Sequence, residues 1–118
     1  MAHPDRILLL TGGVAGALGV ALSAVAAHSG GGNIATAASF LLMHAPALLV
    51  LSLLATNRIA RIGGLVLVVG LVLFCGDLLS RQFLDGRLFP YAAPAGGLFL
   101  IAGWLVVAIS AFRKTGPD

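Results

Sequence analysis

Charge is scarce in this sequence. Charged residues make up 9% of the 118, against 59% hydrophobic ones. Soluble domains carry about 25% charged residues, and small domains expose the most surface per unit volume. Most of the exterior must therefore face something other than water, and lipid fits. Cysteine is limited to Cys75, which excludes an intrachain disulfide and the paired cysteines of zinc or iron–sulfur sites. The net charge of +3 is not gathered into a basic stripe interleaved with aromatics, so nucleic acid is excluded as a partner. Strict alternation of polar and apolar residues is missing too, which argues against a barrel of membrane strands.

What is present is a set of four apolar runs, 7–27, 37–56, 62–80 and 94–112. At 1.5 Å per residue the first reaches about 30 Å, the thickness of a hydrocarbon core. The expectation is an all-α, four-helix transmembrane bundle forming a single membrane domain. Thr36 is the expected N-cap of the second helix, Pro94 suits the first turn of the fourth, and Pro46 should kink the second. The first run ends near Ala24-Val25-Ala26, a small-residue stretch resembling a signal-peptide cleavage site. It is longer than a signal core, however, and reads as an uncleaved span. Short links, Ser29 to Ala35, Asn57 to Arg61 and Arg81 to Ala93, make consecutive helices antiparallel neighbours. With both termini cytoplasmic, Arg6, Arg58, Arg61, Arg113 and Lys114 lie inside, and only Arg81 and Arg87 outside. That distribution follows the positive-inside bias.

Small residues fall at helical spacings. Gly12, Gly16 and Gly19 mark a groove on the first helix, Gly63 and Gly70 a face of the third continued by Asp77, and Gly96 and Gly103 a face of the fourth continued by Ser110. Helices in lipid associate through close van der Waals contact, which small residues permit. These faces are therefore expected to pack against other helices of the chain, a second copy or a larger membrane assembly. Changing Gly12 or Gly16 to Leu should disrupt such contacts.

Ionisable groups within a span are costly and face protein or water. His28 ends the first helix, and His44 lies about 10 Å into the second if that helix starts near Ala37. Asp77 is within reach of Arg81 one turn later. Antiparallel packing brings His28, Asp77 and Arg81 to one level, with Tyr91 nearby and His44 beneath. Such a cluster could serve structure, ligand binding or proton transfer, and two histidines with a carboxylate could ligate zinc or iron. No HxxxH or ExxH repeat supports a metal, and no cofactor is expected. The serines lack an evident base, and the glycine pairs lack the setting of a phosphate loop, so no enzyme is expected. The leading functional expectation is a structural or accessory membrane protein. The alternative is handling of a small solute, ion or metal through the polar cluster.

These residues resemble the DUF423 family of small bacterial membrane proteins, related to the eukaryotic transmembrane protein 256 group. The resemblance spans nearly the whole chain and rests on Ala26-Ala27-His28, His44-Ala45, Gly76-Asp77-Leu78, Leu88-Phe89-Pro90, Ala93-Pro94-Ala95-Gly96-Gly97 and Gly103-Trp104. It implies a multi-span protein of the bacterial cytoplasmic (inner) membrane and supplies no reaction. Two departures stand out: Phe40-Leu41-Leu42-Met43 replaces a common Tyr-Gln pair, and Cys75 replaces a common serine. Both reduce the polarity expected around His44.

Overall fold

The computed structural model describes residues 3–30 and 32–113. Within them lie four helices, α1 (Arg6–Ser29), α2 (Gly32–Leu53), α3 (Arg58–Phe83) and α4 (Ala92–Ile109), the last running into a 3-10 turn, Ser110–Phe112. Each is long and apolar enough to cross a bilayer, the fourth when its 3-10 turn is included. The fold is an all-α four-helix bundle, and no sheet occurs among the described residues. Gly31, within the first glycine-rich link, and Lys114, counted on the basic side, lie outside the described residues.

Helix ends follow local chemistry. The Asp5 carboxylate accepts from the Leu8 N–H and starts α1, and Asn57 accepts from Ile59 and Ala60 N–H and starts α3. Gly30 closes α1 in the left-handed region at φ 70°, where a side chain would be strained. Thr36 does not cap α2: that helix begins at Gly32, so Thr36 is inside it. The glycine-rich link shrinks accordingly. A run of three glycines reads as loop because glycine is a poor helix former, yet its last member is taken up by the helix. The helix also continues through Pro46 to Leu53.

Two helical hairpins, α1/α2 and α3/α4, meet along α2 and α3. Among the described residues no Cα of α1 or α2 comes within 8 Å of α4. The bundle is oblong, 27 × 17 Å in its two shorter dimensions. The outer helices bury single seams, Leu8, Gly12, Ala15 and Gly19 on α1 and Ala92, Gly96, Leu100 and Gly103 on α4. The inner helices bury broader faces.

Glycine sets the closest approaches. A Cβ added at Gly96 would lie 2.5 Å from the Phe74 backbone nitrogen, and one at Gly70 would lie 2.8 Å from that of Leu100. Gly63 meets the Gly103 carbonyl and Val107, and Gly103 meets Leu67. Steps of seven residues on both helices keep these contacts nearly on one face. The α1/α2 seam is built similarly, with Gly12 against Ala45 and Leu48, and Gly19 against Leu42. Gly16 is looser, since a Cβ there would meet only Ala45 at 3.6 Å, an ordinary contact. It is Gly12 and Gly19 that set the spacing of this seam.

Gly96→Val should destabilise the detergent-solubilised protein by about 1–3 kcal/mol or more, because the obstructing atoms are backbone and cannot rotate away. Gly97→Ala and Gly13→Ala, whose new methyls meet nothing within 4 Å, should change stability little. Thermal or denaturant unfolding of the three variants in one detergent checks both expectations.

Candidate functional site

His44 is 1% exposed. It lies twelve residues beyond the start of α2 at Gly32, about 18 Å along the axis. The earlier helix start therefore moves it from the shallow position expected to the middle of the span. Its Nδ1 lies 2.7 Å from the Phe40 carbonyl oxygen, and its Nε2 lies 3.1 Å from Trp104 Nε1. A carbonyl can only accept and an indole N–H can only donate. The arrangement therefore requires a neutral imidazole carrying its proton on Nδ1. The carbonyl used belongs to Phe40, one turn before the histidine, and is not the Leu42 carbonyl deprived of a donor by Pro46.

The Trp104 bond connects two helices whose backbones stay apart. Trp104 lies twelve residues beyond the start of α4 at Ala92. Both helices run in the same direction from the same end, so the two side chains lie at matching depth. Phe40 and Phe74 complete the junction, with ring centroids 4.6 Å apart. The close approach at Gly96 fits the Phe74 backbone against α4. The equal depths of His44 and Trp104 were the missed sequence signal, hidden by placing the second helix start five residues late.

Asp77 is fully buried and pairs with Arg81, Oδ2 to Nε, at 2.9 Å. Its other oxygen accepts from the Leu88 N–H at 2.8 Å, and Ser80 donates to the Gly86 carbonyl at 2.7 Å. The end of α3 thus holds the 84–91 link in place. Asp85 and Tyr91 in that link are left-handed, at φ 57° and 66°, and Leu88, Phe89 and Tyr91 are exposed. His28 is exposed at the end of α1 and makes no side-chain hydrogen bond among the described residues. Of the four polar candidates, the structure joins Asp77 to Arg81, turns His44 to Trp104, and leaves His28 apart. Among the described residues no three histidine, cysteine or acidic groups gather as metal ligands. Cys75 points its thiol towards the Ala37 carbonyl, 3.7 Å away.

At the opposite end, Asp5 receives Arg61 Nε at 2.5 Å, and the Asn57 amide donates to the Ser110 carbonyl at 2.9 Å. The Asp5 N–H donates to the Ser52 carbonyl. The hydrogen bond from Arg61 and then the Leu8 N–H hold the Asp5 carboxyl below its ordinary range. A lowered folded-state value means that this contribution is present above the unfolded pKa and is lost as pH falls through the folded one.

Two measurements follow. A double-mutant cycle on His44→Ala and Trp104→Phe should give a coupling of about 0.6–1.7 kcal/mol, the range of hydrogen bonds between membrane helices. A coupling near zero would show that the bond contributes nothing. The stability advantage of wild type over Asp5→Asn should be full near neutral pH and fade on acidification below the ordinary aspartate range. An advantage independent of pH would contradict the ion pair.

Comparison with known proteins gives a consistent family. The model of the family described as "Protein of unknown function (DUF423)" matches residues 15–97. The inner membrane protein YgdD of Escherichia coli K12, a UPF0382 protein, is 30% identical over 92% of each chain. A UPF0382 membrane protein of Staphylococcus haemolyticus is 25% identical over 94% of this chain and 99% of its own. A Haemophilus influenzae relative is 30% identical over 54% of this chain and 52% of its own. No solved structure matches. With four membrane-crossing helices and these relatives, the chain belongs to the DUF423 family and is a multi-pass protein of the bacterial inner membrane.

Proposed function

We propose that the chain is a non-enzymatic structural or accessory membrane protein, with both termini cytoplasmic, that packs laterally against a second copy or a larger membrane assembly. One observation carries the reading. Among the described residues, no buried side-chain nitrogen or oxygen lacks a hydrogen-bond partner. His44 is engaged at both ring nitrogens and Asp77 at both oxygens. The costly polar groups are engaged in holding helices and links together, which favours a structural role for them. Gly13 and Gly97 have open space where a Cβ would stand, room that a neighbouring helix could use.

Solute, ion or metal handling through His28, His44 and Asp77 would need those groups to converge, and their separate bonding speaks against it. The basic residues Arg6, Arg58, Arg61 and Arg113 stand at the end where α1 and α3 begin and the turn after α4 finishes, and the positive-inside bias supports the cytoplasmic orientation.

Gentle purification from native membrane, with intact mass and metal analysis of wild type and His44→Ala, tests the proposal. The expected result is a defined oligomer or complex with no stoichiometric metal in either protein. A lone monomer, or a bound metal lost in His44→Ala, would overturn it.

A further inference from the structure

An apolar groove of about 360 Å³ runs along the outside of the bundle between α1 and α3, with α2 as its floor. Leu10, Val14 and Leu18 form one wall, Val68, Val72 and Leu79 the other. Val14 and Val72 are 48% and 63% exposed, so the groove opens towards the membrane. Its polar wall groups are already engaged: Thr11 donates to the Ile7 carbonyl, and Cys75 points to that of Ala37. Nothing in the slot asks for a polar ligand.

The groove has a charged end. Seven residues back from Val68, two helical turns on the same face, stands Arg61. One turn before Leu10 on the facing wall stands Arg6, which is exposed. Asp5 is bonded to Arg61 through Nε alone, and among the described residues the terminal guanidinium nitrogens have no protein partner. The pair fixes the guanidinium beside the start of α1, beyond the lined part of the groove, and leaves donors suited to a phosphate. Among the described residues this end of the bundle carries Arg6, Arg58, Arg61 and Arg113 against Asp5, whereas Arg81 and Arg87 are balanced by Asp77 and Asp85 at the other.

We propose that the α1/α3 groove is a binding site for one anionic phospholipid, with an acyl chain along the slot and the phosphate on Arg61 and Arg6. An apolar slot that ends near unpaired arginine donors matches the two-part chemistry of a lipid, a hydrocarbon tail and a charged head. A hydrocarbon chain is thin enough to lie in it, and burying the chain leaves no polar wall atom unsatisfied. Net positive charge at this end of the bundle favours an anionic headgroup over a zwitterionic one. The site does not depend on whether the chain assembles with partners.

Native mass spectrometry of the full chain, offered equal phosphatidylglycerol and phosphatidylcholine in a neutral detergent, tests the site. Wild type should retain one phosphatidylglycerol in preference to phosphatidylcholine. Arg61→Gln should lose about fivefold of that preference, the weight of one arginine at an anionic surface. Val14→Trp and Val72→Trp fill the slot while keeping both arginines, and should lose the bound lipid with little change in melting temperature. Leu105→Trp, on exposed α4 surface, should retain it. Equal retention of the two lipids by wild type, undiminished retention in Val14→Trp and Val72→Trp, equal loss in Leu105→Trp, or a second copy of the chain cross-linking into the slot would each overturn the proposal.

Discussion

Everything in this fold depends on two helices being able to bring their backbones together in a solvent that does not push them. In water, burying leucine against leucine is favourable; in lipid, both sides of that exchange are hydrocarbon. What remains is contact quality, and contact improves as the axes approach. The α3/α4 seam is the clearest case. Gly96 has no room for even a methyl against the Phe74 backbone, and Gly70 has none against Leu100. The absence of side chains at these points is what the packing is made of.

The same close approach positions the polar groups. Phe74, held against Gly96, packs on Phe40, and Phe40 supplies the carbonyl that fixes the His44 tautomer. Trp104 then reaches His44 from a helix whose backbone remains apart from α2. At the helix ends the logic is repeated with charge: Asp77 ties α3 to the following link, and Asp5 with Arg61 ties the start of α1 to α3. Each of these ionisable groups is thus hydrogen-bonded at a junction, which is how a span can carry aspartate or histidine at tolerable cost.

The four helices were legible because length and apolarity suffice to identify spans. The buried faces were legible from glycine spacing and not from hydrophobicity, since lipid-facing residues such as Leu105 and Val72 are as apolar as the core. Gly63, Gly70, Gly96 and Gly103 marked packing faces for that reason, with their partner left open, and the structure joins them to each other as the α3/α4 seam. The Asp77–Arg81 pair was readable as an i,i+4 contact. His44 and Trp104 were not readable as partners, because their meeting depends on equal depth and hence on a helix start at Gly32 that glycine-rich sequence disguises. The Asp77 bond to the Leu88 N–H was likewise hidden, since it depends on the path of an irregular link.

The claim that glycine lets α3 and α4 touch backbone to backbone is tested most directly in a bilayer. Magic-angle-spinning NMR of uniformly labelled protein should show a strong through-space cross-peak between the Gly96 Cα and the Phe74 amide nitrogen, as their crowding requires. Absence of that peak, with the sequential peaks of both residues well resolved, would mean that the two helices stand apart and would contradict the account.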